Sequence, residues 1–225
     1  MSLIKTNLSK INERIKKSAE KSGRSASEVT LVAVTKTRSL IEIDELEKAG
    51  AGIIGESRVQ ELVQKFDALK GRFAIHFLGH LQTNKVKQTV TRVEMIQSVD
   101  SLRLMTAIDA ACADLGITMS LLLQVNASYE EQKHGFAPTE LPAALERAAG
   151  LKNISVRGLM TLAMLTGETE KIRAVFRTLR ECRDDMQKKG FVLPELSMGM
   201  SGDFEIAIAE GATLVRVGSA LFEKE

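Results

Sequence analysis

Lys36 closes the aliphatic run Leu31-Val32-Ala33-Val34-Thr35. An amine at the end of such a run can be desolvated, hold its proton less tightly and act as a nucleophile, which is what imine formation requires. A solvated or salt-bridged lysine ending a strand accounts for the same position. Further along, Ser201-Gly202 and Gly218-Ser219 each pair a hydroxyl with a glycine that lets backbone N–H groups approach an anion. Phosphate binding is the functional reading of the two pairs, and ordinary turn chemistry is the bland one. Arg216 lies between Val215 and Val217, where strand alternation points it to the opposite face from those valines. Its partner there is either a carboxylate, Glu56 or Asp203, or the ring nitrogen of an aromatic ligand. Such a nitrogen would stay unprotonated, because a guanidinium accepts no proton.

His76 and His80 are four apart, but Gly79 and a change from strand to loop argue against the helical pairing that a metal would use. No metal site is expected, and His76, His80 and His134 read as structural or hydrogen-bonding residues. Cys112 and Cys182 read as reduced, packed thiols, and the 9 methionines as packing. Lys+Arg 31 against Asp+Glu 29 leaves a formal charge of +2, too balanced for a nucleic-acid footprint or an anionic membrane surface. A small ligand is the expected partner. The first residues alternate charged and apolar types without a signal-peptide core, and no run reaches membrane-spanning length, so a soluble cytoplasmic protein is expected.

These residues need a scaffold that gathers strand ends. Strand-length apolar runs recur at 30–35, 52–54, 73–78, 93–97, 119–125, 155–162, 195–198 and 213–217. Helical patterns such as 39–49, 101–115 and 168–189 lie between them, with Gly50, Gly116 and Gly190 at their ends. Alternating strands and helices imply parallel units, and eight of them close most simply into a (β/α)8 TIM barrel occupying residues 1–225 as one domain. A doubly wound sheet would carry a glycine-rich phosphate loop after its first strand, and none is present. An extra N-terminal helix over 3–21 is expected to pack on the barrel. Ligands of such barrels sit at the C-terminal strand ends. Lys36, Glu56-Ser57-Arg58, Gly79-His80, Asn126, Gly199-Met200-Ser201-Gly202 and Arg216-Val217-Gly218-Ser219 all fall at those ends.

Several ordered blocks carry a family resemblance: Val32-Ala33-Val34-Thr35-Lys36-Thr37, Gly55-Glu56-Ser57-Arg58-Val59-Gln60-Glu61 and His76-Phe77-Leu78-Gly79-His80-Leu81-Gln82-Thr83-Asn84-Lys85. Gly158-Leu159-Met160-Thr161, Leu196-Ser197-Met198-Gly199-Met200-Ser201 and Val215-Arg216-Val217-Gly218-Ser219 continue the series. The chain resembles, nearly end to end, the pyridoxal phosphate homeostasis (YggS/PROSC) family, itself similar to the barrel domain of bacterial alanine racemases. That resemblance implies pyridoxal 5'-phosphate (PLP) as cofactor, held as a Schiff base on Lys36. Ser201, Gly218 and Ser219 would bind its phosphate, with Met200 beside them, and Arg216 would face its pyridine nitrogen. Ser57 is the remaining cofactor-binding candidate, standing where the family usually has asparagine.

The resemblance further implies a PLP carrier with PLP-dependent apoenzymes as partners, expected to be a monomer, rather than an enzyme. Racemases of this fold need a second acid/base, which in alanine racemase comes from a tyrosine of an added β domain. Here the sequence runs out after strand eight, and its only tyrosine, Tyr129, falls in the loop after strand five. The alternative, a PLP-dependent racemase, would recruit Tyr129, Lys133 or His80. A Schiff-base aldolase without cofactor is the third reading, and Arg216 weighs against it.

Overall fold

The computed structural model describes residues 2–130, 132–164 and 166–223. The aliphatic runs form eight strands: β1 (Thr30–Val34), β2 (Ile53–Glu56), β3 (Ala74–Phe77), β4 (Met95–Val99), β5 (Met119–Gln124), β6 (Ile154–Met160), β7 (Glu195–Ser197) and β8 (Leu214–Val217). All neighbours are parallel and follow chain order, and β8 returns to pair with β1, closing a (β/α)8 barrel. The closing register places Leu31 beside Val215, Val32 beside Arg216 and Ala33 beside Val217. Lys36 and Gly218-Ser219 therefore emerge side by side.

Nine α-helices occur among the described residues: α1 (Leu3–Lys21), α2 (Leu40–Lys48), α3 (Val59–Leu69), α4 (Val86–Val90), α5 (Leu102–Leu115), α6 (Leu141–Ala149), α7 (Thr169–Lys188), α8 (Phe204–Ala209) and α9 (Ser219–Phe222). Their starts follow capping chemistry. Ser39 accepts the Glu42 N–H while the Glu42 carboxylate accepts the Ser39 N–H, a capping box that opens α2. Gly116 ends α5 at φ 65°, a left-handed conformation that costs glycine nothing.

Two apolar layers hold the barrel. Inside it, Val32, Leu122, Met160 and Leu214 form a plug. Outside it, side chains such as Phe77, Phe176 and Phe204 fill the space between strands and helices. The fourth strand starts later than its apolar run suggests and continues to Val99, because the β4–β5 register shifts between Ile96 and Val99. That irregularity lets the consecutive residues Gln97 and Ser98 both be buried.

The expected N-terminal helix is α1, and its Ile4, Leu8, Ile11, Ile15 and Ala19 form one buried stripe against α8 and α9. Within that stripe the Asn7 amide donates to the carbonyls of Leu221 (3.2 Å) and Glu223 (3.0 Å). The first helix thus secures the short helix that follows Gly218.

Candidate functional site

A cleft of about 460 Å³ opens at the C-terminal ends of β1, β7 and β8, lined by Val34, Lys36, Thr37, Arg38, Met200, Ser201, Gly202, Arg216, Gly218, Ser219 and Glu223. It gathers Lys36, Met200, Ser201, Arg216, Gly218 and Ser219, all named from sequence. Ser57 is not among them and lines a separate pocket of about 200 Å³ with Arg58 and His80.

Lys36 lies past the end of β1 in a turn, is exposed, and its Nζ has no hydrogen-bond or ion-pair partner among the described residues. Its backbone, by contrast, is clamped from both sides. Thr37 adopts φ 61°, a left-handed conformation unusual for a β-branched residue. Its N–H donates to Glu61 Oε2 at 2.7 Å, and this bond holds the Glu61 carboxyl below its ordinary pKa, outweighing partial burial. On the other side Lys65 Nζ donates to the Thr35 carbonyl (3.0 Å) and to Glu56 Oε1 (3.1 Å), which also accepts the Thr35 hydroxyl (2.8 Å). Glu56 is buried, and burial raises its carboxyl against the pull of Lys65. A fixed Cα thus presents an exposed, unpaired amine to the cleft.

The opposite wall is built for an anion. Gly199 (φ 93°) reverses the chain after β7, and a Cβ there would stand 2.6 Å from the Cβ of Ala207. Ser201 Oγ accepts the N–H groups of Gly218 (3.2 Å) and Ala220 (3.4 Å), leaving its own proton to donate. Among the described residues, the N–H groups of Ser201, Gly202 and Ser219 have no intramolecular acceptor. Asp203 accepts the Met200 N–H and pins the turn; burial raises its carboxyl, opposed by that N–H and by Arg216.

Arg216 forms the cleft floor at 4% exposure. Its Nη1 donates to Ser197 Oγ (2.6 Å) and its Nη2 to the Thr161 carbonyl (2.8 Å). Glu56, a sequence candidate for its partner, is held by Lys65 instead. A guanidinium only donates, so the direction of the rest of the chain follows. Ser197 donates to Gln97 Oε1 (2.6 Å), and Gln97 Nε2 donates to His76 Nδ1 (2.9 Å), which leaves the His76 proton on Nε2. Burial draws Arg216 down to about 10, against the attraction of Asp203, so it remains a cation at neutral pH. Thr161, Ser197 and Gln97 were not singled out from sequence. Thr161 and Ser197 lie in blocks that carry the resemblance, whereas nothing local marks Gln97.

Burial also draws His76 from 6.5 down to about 4, so the folded protein keeps it neutral. The unfolded chain takes up this proton near pH 6.5 and the folded one only near pH 4. Stability is therefore complete above pH 6.5, falls on acidification to about pH 4 by on the order of 3 kcal/mol, and changes no further below. Urea melts across that window should show the slope, and His76→Asn should flatten it. An equal slope in the variant would mean that other groups control acid sensitivity.

The family described as "Alanine racemase, N-terminal domain" matches residues 6–224. The pyridoxal phosphate homeostasis protein of Aquifex aeolicus is 42% identical over 96% of this chain and 95% of its own. The protein of the same name from Pseudomonas aeruginosa is 38% identical over 99% and 96%. Among solved structures, PipY of Synechococcus elongatus with PLP bound superimposes with a TM-score of 0.82 at 35% identity, covering 95% of this chain and all of that one (100%). An alanine racemase of Clostridium difficile shares the fold, with a TM-score of 0.77 at 17% identity, and this chain spans 56% of it. The chain belongs to the alanine racemase N-terminal domain family and, within it, to the pyridoxal phosphate homeostasis proteins.

Proposed function

We propose that this chain binds PLP in the 460 Å³ cleft, bonded to Lys36, and carries it as a one-domain reservoir rather than converting a substrate. The observation that carries this reading is the convergence, in one cleft, of an unpaired amine, a set of unengaged hydroxyl and N–H donors, and a buried guanidinium. When bound, PLP supplies an aldehyde that condenses with a primary amine. Lys36 is the amine in reach of the cleft. Ser201, Gly202, Gly218 and Ser219 would hold the phosphate with N–H and O–H donors, and Met200 would pack beside them. Arg216 would donate to the pyridine nitrogen and keep it unprotonated, which weakens the ring as an electron sink.

Carriage is supported by where the other candidate acid/bases lie. Tyr129 is 70% exposed on its loop. Lys133 pairs with Glu130 at 2.7 Å, and His80 with Asp100 at 2.9 Å. None of the three lines the cleft with Lys36. An exposed lysine suits exchange with solution, so we read PLP-dependent apoenzymes as recipients, met by a monomer in the cytoplasm.

The test is to add PLP to purified protein, follow visible absorbance, reduce with borohydride and map the labelled peptide. A pyridoxyl group on Lys36 is expected. Label on Lys85 or Lys133 instead, or no colour at all, would overturn the assignment.

A further inference from the structure

Away from the Lys36 cleft, three loops of the barrel mouth bring together side chains that are remote in sequence. His80 follows β3, Asp100 directly follows β4, and His134 lies between β5 and α6. Asp100 Oδ2 stands 2.9 Å from His80 Nδ1 and 3.9 Å from His134 Nδ1. The two imidazoles stack, with centroids 4.2 Å apart and planes at 15°. One donor atom from each residue lies within 4.8 Å of the other two.

Their backbones are fixed. The Gly79 carbonyl, beside His80, accepts the Ser98 hydroxyl, and a Cβ on Gly79 would collide with the Ser57 backbone. The His134 carbonyl accepts Gln124 Nε2 at 2.9 Å, the Asn126 N–H donates to the Phe136 carbonyl, and the Phe136 N–H donates to the Gln124 carbonyl, which binds this loop to the end of β5. Asp100 is largely buried, at 9% side-chain exposure, whereas the imidazoles are open to solvent, at 48% and 63%.

We propose that His80, Asp100 and His134 form a site for a divalent transition-metal ion of the zinc class. Zinc bonds to imidazole nitrogen and carboxylate oxygen are about 2.0–2.2 Å, which puts tetrahedral donors roughly 3.3 Å apart. The His80–Asp100 pair, at 2.9 Å, has only to open slightly to reach that spacing, and rotation of the exposed His134 ring, which also unstacks the pair, brings in the third donor. The ion then takes the place of the hydrogen bond between His80 Nδ1 and Asp100 Oδ2. Two imidazoles and one carboxylate leave at least one coordination position for water, and this donor set favours zinc, cobalt, nickel or copper over magnesium or calcium. His76 takes no part, since its Nδ1 is engaged by Gln97 inside the barrel.

Calorimetric titration of the untagged, chelator-treated full chain with zinc chloride, with and without saturating PLP, tests the site. One equivalent should bind in both conditions, and magnesium chloride should give no binding. His134→Ala, His80→Ala and Asp100→Asn should each weaken zinc roughly tenfold or more while melting temperature and PLP absorbance stay near those of the parent. Exposed His134 is the variant least able to disturb folding, so it decides the matter. Absence of zinc binding, or affinity undiminished in His134→Ala, would overturn the proposal.

Discussion

Lys36→Ala is expected to give a folded protein that stays colourless with PLP and yields no borohydride-fixed adduct, yet still binds PLP reversibly. Folding should survive because Lys36 is exposed, its amine has no partner among the described residues, and its position is held by Thr35, Thr37, Lys65 and Glu61 rather than by its own side chain. Truncating it opens no core cavity. Reversible binding should persist because the anion wall is untouched. Hydrogen bonds to charged groups contribute about 1.5–3 kcal/mol each, so several of them offset the cost of association. Added PLP should therefore still raise the melting temperature while phosphate-free pyridoxal does not. Equal stabilisation by both compounds would show that the phosphate does not lie against Ser201 and Ser219. An unfolded variant would make Lys36 a structural residue.

The second large effect is expected at a residue that touches no ligand. Ser197 is fully buried, accepts from Arg216 Nη1 and donates to Gln97 Oε1. Ser197→Ala orphans one charged donor and one amide acceptor in a buried site beneath the cleft, at about 1–3 kcal/mol each, so roughly 4 kcal/mol in all. For a domain of this size that corresponds to a melting temperature lower by roughly 8–16 °C. Ser197→Cys, with a weaker donor and acceptor, should fall between parent and alanine. If Arg216 faces the pyridine nitrogen, the absorbance of bound PLP should shift as well, because the guanidinium loses one of its two fixed contacts. A melting temperature close to that of the parent would show that Arg216 is oriented by Thr161 alone.

The scaffold was legible because its strands are continuous aliphatic runs and its helices begin at serines such as Ser39 and Ser101. Closure and parallel order followed from counting those runs. The cleft was legible where chemistry is local: a lysine after β1, serine–glycine pairs after β7 and β8. What escaped depends on contacts that only closure creates. The exposure of Lys36 results from the turn at Thr37, whose φ of 61° is imposed by Glu61 on α3 and has no signature in the residue type. Gln97 reaches Ser197 across the barrel, and it is buried because of the irregularity in β4, which residue alternation does not reveal. Ser57, standing where the family usually has asparagine, lines the neighbouring pocket with His80 instead of the cleft.

The bond between Asn7 and the Leu221 carbonyl joins residues separated by 214 positions, at the same seam where β1 meets β8. Contacts of such sequence separation are slow to form and come late in folding. On a ribosome, β1 and α1 emerge early and must wait for β8 and α9 before the seam can be sewn. The cleft is made from the two sides of that seam, so its floor and both walls come into existence together, after the rest of the barrel. A nascent chain accordingly cannot form this cleft before β8 and α9 have emerged. Pulse-labelled chains should acquire PLP only after that point, in a single step coincident with protection of Asn7 and Leu221 from proteolysis.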